Sequence, residues 1–321
     1  MAAEPPSGGW DGLPCGADFL SAADLSPRGW QALLQAADSG PGDGPGQPLS
    51  GRSVALVFEH PSLRTRISTE LAVGQLGGQA VYLVGSDVGL GVRESAADVG
   101  RTLSVWVAAI VARTVHEATL RELAEAAAVP VVNGLTDREH PLQALADVLT
   151  IHQALGDLGG RTVVFVGDGN NVACSLAIAA GSLGAAVRLA TPAGHAPPEE
   201  LIATARGRAA AAGGSVDVFH GDPRLALDGA AVVCTDVWTS MGQEVERDRR
   251  RAAFAGYTVN DALMAAAPPQ ALVMHCLPAH RGEEIDEPWL WGPRSLVERQ
   301  AANRLPAARA VLAALAGPAA A

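Results

Sequence analysis

The chain has 321 residues, of which 48% are hydrophobic and 18% are charged. This composition excludes a disordered chain and supplies enough apolar material for two domains of ordinary size, each with its own core. The formal net charge of −11 argues against a nucleic-acid partner, whose phosphates would repel the chain, while a local basic pocket for a small anion stays compatible with it.

The start of the chain and its cysteines indicate a soluble protein of a reducing compartment. Residues 1–16 lack the basic start and the apolar core of a signal peptide, and no uninterrupted apolar stretch is long enough to span a bilayer. The cysteines show neither a C-x-x-C pair nor a zinc-finger spacing: Cys15, Cys174, Cys234 and Cys276. We therefore expect a cytoplasmic location.

The first part of the chain alternates strands and helices after one leading helix. Residues 17–38 are predicted to be helical, opening at Ser26-Pro27, and residues 39–48, rich in Gly and Pro, form a loop. Apolar runs predict strands at 53–58, 79–84, 108–112 and 130–133. Helices are predicted at 65–76, 95–105, 117–128 and 141–155. In the first of these, Leu71 and Leu76 are assigned to the apolar side.

A second alternation follows, with strands predicted at 162–167, 185–190, 215–219, 230–235 and 271–275. Helices are predicted at 171–182, 198–212, 244–254 and 294–316, the last with Pro306 as a candidate bend. Alternating βα units imply parallel sheets covered by helices on both faces. The predicted fold class is α/β, with two doubly wound parallel-sheet domains joined by interdomain helices. Active sites of such folds lie at the carboxyl ends of the strands.

The run Ser62-Leu63-Arg64-Thr65-Arg66 lies where a buried strand is followed by a helix. Two guanidinium groups, two hydroxyls and the free N–H groups of a helix N-terminus converge there, which suits a doubly charged oxyanion such as phosphate. Taken alone, the run is more typical of a capped helix with solvated arginines. The anion-site interpretation therefore depends on the rest of the chain.

His140 and Gln143 flank the start of the helix at 141–155, shortly after a strand. An imidazole at that place can donate to a carbonyl oxygen, and Gln143 can bind an amide. A helix cap explains the pair equally well.

The segment Gly167-Asp168-Gly169-Asn170-Asn171 follows a strand and opens a helix, as a dinucleotide-binding fingerprint does. The third glycine of that fingerprint is missing, and Arg188-Leu189-Ala190 stands where an acidic residue would bind the ribose. We therefore expect no NAD cofactor, and a small polar ligand at Asn171 instead.

Two later strand ends also carry polar groups. Asp236 can pair with an ammonium group, although an ordinary loop cap is the commoner role for a lone aspartate there. Cys276 is a candidate nucleophile or ligand contact, while a buried structural cysteine is the commoner case. His275 and His280 are separated by five positions with a proline between them, which is not a metal-ligand pattern, so no metal is expected.

Together these five segments resemble the motifs of the aspartate/ornithine carbamoyltransferase family, and within it those of the ornithine carbamoyltransferases, from about Asp18 to Leu315. The resemblance implies a carbamoyl-phosphate site at the residues that match the family motifs: Ser62, Leu63, Arg64, Thr65, Arg66, Arg113, His140, Gln143, Cys276, Leu277 and Arg304. It implies an ornithine site at Asn171, Asp236, Ser240 and Met241. The catalytic roles that it implies fall on Arg113, His140, Asp236 and Cys276.

The resemblance also implies an activity and an architecture. The activity is transfer of the carbamoyl group of carbamoyl phosphate to the δ-amine of L-ornithine, giving L-citrulline and phosphate in arginine biosynthesis without a cofactor. The implied domains are a carbamoyl-phosphate-binding domain at 1–145, on which a C-terminal helix at about 294–321 packs back, and an ornithine-binding domain at 146–293. The implied assembly is a homotrimer or a multiple of trimers, in which a loop of one subunit completes the site of its neighbour.

Two positions depart from the family pattern. Gly89 stands where the neighbour-reaching loop of the family has Gln, and Thr69 stands where Phe is common. These departures leave two alternatives open: a paralogue with a different amine acceptor, and a weakly active regulatory paralogue.

Overall fold

The computed structural model describes residues 13–39, 46–239 and 244–316, and two parallel sheets follow one another along this part of the chain. The first contains β1 (Ser53–Phe58), β2 (Gln79–Val84), β3 (Ala109–Arg113) and β4 (Val131–Leu135), in the order β2-β1-β3-β4. The second contains β5 (Thr162–Val166), β6 (Ala186–Ala190), β7 (Ser215–Phe219), β8 (Ala230–Thr235) and β9 (Leu272–His275), in the order β7-β6-β5-β8-β9. All the pairings between these strands are parallel, which confirms the predicted fold class.

Helices connect the strands and cover both sheets. Those of the first part are α1 (Pro27–Asp38), α2 (Leu63–Gln75), α3 (Gly85–Val88), α4 (Ala96–Leu103), α5 (Glu117–Ala126) and α6 (Pro141–Leu155). Those of the second part are α7 (Asn171–Ser182), α8 (Glu199–Ala211), α9 (Arg247–Ala253), α10 (Asp261–Met264), α11 (Glu287–Trp291), α12 (Val297–Ala302) and α13 (Arg304–Ala316). Short 3₁₀ turns lie at Ala22–Asp24, Pro223–Ala226 and Glu244–Glu246.

The central strands are mostly apolar because helices cover both of their faces. In β1, every residue from Val54 to Phe58 is 0% exposed. Helix α6 is buried from Pro141 to Ile151 for a related reason, since it runs between the two sheets and contacts α1, α7 and α13. One core cluster therefore continues from Trp30 of the first part to Phe165 of the second.

The C-terminal helix predicted at 294–316 is divided in two. It breaks at Asn303, whose buried amide donates to Thr150 Oγ1 and Gln153 Oε1 of α6, each at 2.9 Å. Pro306 lies in the first turn of α13, where a missing N–H leaves no helical hydrogen bond unmade, so it produces no bend of its own. Helix α13 then contacts α2 of the first sheet.

The assignment of Leu71 to the buried side of α2 is wrong. Leu71 is 52% exposed, and it forms one exposed stripe with Leu63 and Ile67 at intervals of four residues. Leu76 is buried as predicted, and the rest of the buried face of α2 is made of small residues such as Ala72. Within the described ranges, none of the helices is both long enough and apolar enough to cross a membrane.

Candidate active site

A cleft of about 760 Å³ lies where the carboxyl ends of the central strands of both sheets meet. In each sheet the order of strands reverses at a central strand. In the first sheet, β2 lies on one side of β1 and β3 on the other; in the second, β6 lies on one side of β5 and β8 on the other. Open parallel sheets bind ligands in the crevice that such a reversal creates. The cleft is lined by the segments that follow β1, β3, β4, β5, β6, β8 and β9.

The N-terminus of α2 forms one wall of the cleft. Ser62 caps the helix, its Oγ accepting from the backbone N–H of Thr65 at 3.3 Å. Arg64 lines the cleft beside it, and Thr65 is 1% exposed. The free N–H groups of this 13-residue helix and the Arg64 guanidinium thus face the same space, as the sequence predicts for an anion site.

Arg113 ends β3 and lies next to Ser62, to whose Oγ its Nη1 donates at 3.4 Å. The register of the sheet explains the contact, because Arg113 is aligned with Phe58 at the end of β1. Burial, with the nearby charge of Arg64 as the next cause, lowers the pKa of Arg113 to about 10. Its Nε atom is buried with no partner among the described residues.

His140 is held by its backbone and is uncharged. Its N–H donates to Ser175 Oγ at 2.8 Å, and the side chain is buried. Burial first, and then the charges of Arg304, Arg113 and Arg64, hold the pKa of His140 well below its ordinary value. Arg304 Nη1 lies 3.3 Å from Nε2 of the ring.

Arg304 connects three of the predicted residues. Its guanidinium donates to Thr65 Oγ1 at 2.8 Å and to Gln143 Oε1, and it lies 3.3 Å from His140 Nε2. Burial lowers the pKa of Arg304 to about 10, although the Asp147 carboxylate acts in the opposite direction. The start of α13 therefore returns a cation to the wall that α2 and α6 build.

The opposite wall comes from the second sheet. Asn170 caps α7 by accepting from two backbone N–H groups with Oδ1, and its Nδ2 donates to Asp236 Oδ2 at 2.8 Å. Asn171 lines the cleft and donates from Nδ2 to the carbonyl of Thr136. The carboxylate of Asp236 is thereby oriented at the end of β8 and is 7% exposed.

Cys276 follows β9 and donates from Sγ to Asp236 Oδ1 at 3.0 Å. Burial, with the nearby Asp236 carboxylate as the next cause, raises the pKa of the thiol well above its usual range, so the sulfur stays protonated. A protonated thiol is a poor nucleophile and a usable hydrogen-bond donor. Leu277 lines the cleft with a φ of 60°, and its N–H donates to His275 Nδ1 at 2.8 Å.

The structure does not bring all the predicted residues to the cleft. Arg66 is absent from the described lining: its Nε donates to Glu70 Oε1 at 2.8 Å, and its guanidinium lies 3.7 Å from the centre of the Tyr82 ring. Ser240 and Met241 lie outside the described residues.

Sequence analysis missed a buried ion pair at the second wall. Arg250 of α9 lies 2.5 Å from Asp168 Oδ2 and also donates from Nε to the carbonyl of Trp238. Burial raises the pKa of Asp168 to about 6, although the Arg250 charge opposes it. Asp168 stands in a glycine-rich strand end and could have been noticed, whereas Arg250 lies in a run of three arginines without any distinguishing signal.

Among the residues that the structure describes, two side-chain groups have the composition of a metal site. Asp236, His275 and Cys276 have ligand atoms within 4.8 Å of one another, as do His280, Glu283 and Glu284. In the first group the His275 ring already accepts from Leu277 at Nδ1 and lies 3.2 Å from Glu284 Oε1 with Nε2. A metal would have to break those contacts and remove the thiol proton.

Comparisons with known proteins cover nearly the whole chain. Residues 17–153 match the family model "Aspartate/ornithine carbamoyltransferase, carbamoyl-P binding domain", and residues 159–315 match "Aspartate/ornithine carbamoyltransferase, Asp/Orn binding domain". An ornithine carbamoyltransferase of Acidothermus cellulolyticus is 51% identical over 92% of this chain and 95% of that protein. The structure of the ornithine carbamoyltransferase from Pyrococcus furiosus superposes with a TM-score of 0.89 at 45% identity, covering 94% of this chain and 97% of that one. The structure from Thermus thermophilus gives 0.83 at 44% identity, with 94% and 99% covered.

Proposed function

The chain belongs to the aspartate/ornithine carbamoyltransferase family, and we propose that it transfers the carbamoyl group of carbamoyl phosphate to the δ-amino group of L-ornithine, giving L-citrulline and phosphate. The observation that carries the proposal is the division of the cleft. Cationic and anion-binding groups of the first sheet form one wall, and the Asp236–Cys276 pair of the second sheet forms the other. A dianionic donor and an amine acceptor can therefore bind side by side.

The carbamoyl-phosphate site of this proposal consists of the predicted residues on the first wall together with the turn after β9. The phosphate lies on the N-terminus of α2 against Ser62, Leu63, Arg64 and Thr65, while Arg66 is bound to Glu70 outside the cleft. The carbamoyl oxygen accepts from Arg113, His140 and Arg304. The carbamoyl nitrogen donates to Gln143, next to Cys276 and Leu277.

The ornithine site of this proposal lies between α7 and the ends of β8 and β9. Asn171, Ser240 and Met241 hold the amino-acid end, the last two on the strength of the family motif. Asp236 accepts from the δ-ammonium group and takes up the proton that must leave before attack. Cys276 orients the amine through its neutral thiol.

The proposed reaction needs no covalent enzyme intermediate. The lone pair of the neutral δ-nitrogen forms the C–N bond, and the electrons of the bond between the carbonyl carbon and the phosphate oxygen leave with phosphate. The phosphate takes up one of the two protons of the attacking nitrogen, and citrulline keeps the other. Arg113 and neutral His140 stabilise the oxygen of the tetrahedral intermediate. The helix N-terminus and Arg64 stabilise the charge that moves onto the leaving phosphate.

We propose domain limits of 1–145 and 146–293, with the segment from about 294 onward packing back on the first domain. The contact between α13 and α2 supports that return. A cytoplasmic location and a role in arginine biosynthesis complete the proposal, supported by four unpaired cysteines and by the family.

We further propose a homotrimer or a multiple of trimers. The exposed stripe of Leu63, Ile67 and Leu71 on α2 supports an interface on that helix, because isolated chains rarely expose such a row of large apolar side chains. Sedimentation equilibrium tests it: a mass that stays at the 32.7 kDa of one chain at working concentrations contradicts the assembly.

The activity is tested by measuring citrulline formed from carbamoyl phosphate and L-ornithine. Asp236→Asn should lower kcat by at least about 100-fold, whereas Asp222→Asn, at an aspartate of the same domain that is paired with Arg224 away from the cleft, serves as the matched control. A panel of N-acetyl-L-ornithine and putrescine in place of ornithine addresses the acceptor. No citrulline at saturating substrates refutes the function, and a higher kcat/KM with another amine moves the assignment to that acceptor.

A further inference from the structure

A buried carboxylate oxygen joins the first wall of the cleft to β9, the strand that ends just before Cys276. Asp147 lies one helical turn after Gln143 on α6 and is 2% exposed. Its Oδ1 atom accepts from Nε2 of Gln143 and from Nε2 of Gln300, each at 2.7 Å. Neither Asp147 nor Gln300 lines the cleft.

These two hydrogen bonds fix the direction of two amide groups. A glutamine amide donates from one end and accepts at the other, and rotation about its last torsion exchanges the ends. A carboxylate only accepts, so Asp147 selects the NH₂ end of each amide. The carbonyl oxygen of Gln143 is then directed to Arg304, from whose Nη1 it accepts, and that of Gln300 accepts from the backbone N–H of His275 at 2.9 Å.

The direction of the Gln143 amide matters because the carbamoyl group carries an NH₂ that only donates. Gln143 lines the cleft, and a carbonyl oxygen has a second lone pair besides the one used by Arg304. Resting on the proposed function, we propose that Asp147 is a positioning residue that presents the carbonyl oxygen of Gln143 to the carbamoyl NH₂. Through Gln300, the same carboxylate ties this acceptor to the end of β9 just before Cys276.

The energetics favour a functional reason for the carboxylate. Burial raises the pKa of Asp147 to about 6 despite the two amide donors and the Arg304 charge, so ionised Asp147 destabilises the fold at neutral pH. A well-packed apolar residue at such a position is often neutral or stabilising. The carboxylate at this position is therefore explained by its acceptor-only character rather than by packing.

Four proteins test the proposal: wild type, Asp147→Asn, Gln143→Glu and the double variant. The amide that Asp147→Asn introduces can donate as well as accept, so the direction of Gln143 is no longer selected, and kcat/KM for carbamoyl phosphate should fall about tenfold. Gln143→Glu alone sets two carboxylates against each other and should reduce kcat/KM about 100-fold. In the double variant the roles are exchanged, because the new amide at position 147 donates to the new carboxylate at position 143, both of whose oxygens accept.

The kcat/KM of the double variant should therefore be at least about tenfold higher than that of Gln143→Glu. Such a gain shows that positions 143 and 147 are coupled, because two independent defects would only multiply. Thr150→Val is the matched control: it removes a buried hydroxyl one turn further along α6 that bonds to Asn303 and not to the cleft, and it should leave KM for carbamoyl phosphate unchanged. Effects of the two single variants that simply multiply in the double variant overturn the proposal.

Two precautions keep the result decisive. If Asp147→Asn does not fold, the double variant still tests the proposal. Its restored hydrogen bond should let it fold and turn over substrate, and an unfolded double variant overturns the proposal. Isothermal titration calorimetry of carbamoyl phosphate binding to all four proteins measures the same coupling between positions 143 and 147 in the absence of ornithine. Wild type that binds carbamoyl phosphate but forms no citrulline would refute the proposed function while leaving the Asp147 test intact.

Discussion

The carboxyl group of Asp147 titrates in a place that water does not reach. The side chain is buried between α6 and α12, with Gln143 and Gln300 as its hydrogen-bond donors. Burial raises its pKa from 3.8 to about 6, and the two amides and Arg304 only partly oppose this. We therefore expect Asp147→Asn to stabilise the protein at neutral pH even though it impairs the reaction.

The sign follows from proton linkage. A carboxyl whose pKa is raised on folding holds its proton more tightly in the folded state, so its contribution to stability is complete below 3.8 and is lost as the pH rises through about 6. A pKa rise of this size corresponds to about 3 kcal/mol. Because the amide of the Asp147→Asn variant does not ionise, the free energy of unfolding of the variant minus that of wild type should increase by about 2.4 kcal/mol between about pH 4 and pH 7.

Urea unfolding of both proteins across this pH range, at one protein concentration, measures the difference. Thr150→Val again serves as the control, since it removes a buried polar group of α6 that has no proton to titrate in this range. Its difference from wild type should be independent of pH. A difference for Asp147→Asn that changes by less than about 1 kcal/mol over the range would show that the reasoning is wrong.

Three further predictions concern other parts of the site. Arg64→Ala should raise KM for carbamoyl phosphate at least about tenfold, because a hydrogen bond to a charged group contributes about 1.5–3 kcal/mol; near-normal affinity in initial-rate kinetics would contradict the anion cradle. Gly89→Gln should lower the midpoint temperature of thermal unfolding, because Gly89 has a φ of 71° and a Cβ there would lie 2.7 Å from Arg93 Cβ. The expected strain is about 1–3 kcal/mol, and an unchanged midpoint temperature would contradict this prediction. Arg250→Met should destabilise the protein by about 3–5 kcal/mol, because it leaves the Asp168 carboxylate buried without its partner; a chemical denaturation curve that coincides with wild type would exclude that role.

Sequence was sufficient where a single local pattern decides the structure. The apolar run at 53–58 and the alternation around it predict β1 and a parallel sheet, and Pro141 predicts the start of α6. The end of each strand then places polar residues such as Arg113 in the first sheet and Asp236 in the second at the carboxyl edge of their own sheet, because parallel strands end on the same side. The candidate site was predictable to the extent that it consists of such strand ends.

The remainder depends on contacts between distant parts of the chain. Gln300 and Asp147 are 153 positions apart, and no local pattern indicates that they meet. Leu71 was misassigned because helical periodicity does not distinguish a face that contacts α13 from a face left exposed. Arg250 is equivalent to its neighbours until the fold places it beside Asp168.

The cleft also carries a charge imbalance that no composition value reveals. The protein has a net charge of −11, yet Arg64 lies close enough to Arg113 and Arg304 to disfavour their charges, and burial together with these three guanidinium groups holds the pKa of His140 well below its ordinary value. The repulsion among these three cations destabilises the protein without ligand. A bound dianion offsets that repulsion and accepts hydrogen bonds from donors that are already in place. Carbamoyl phosphate at about 100 times its Kd should therefore stabilise the fold by about 2.7 kcal/mol. The uncharged His140 lets the site donate to a carbonyl oxygen without adding a fourth positive charge, which is the property a carbamoyl group requires.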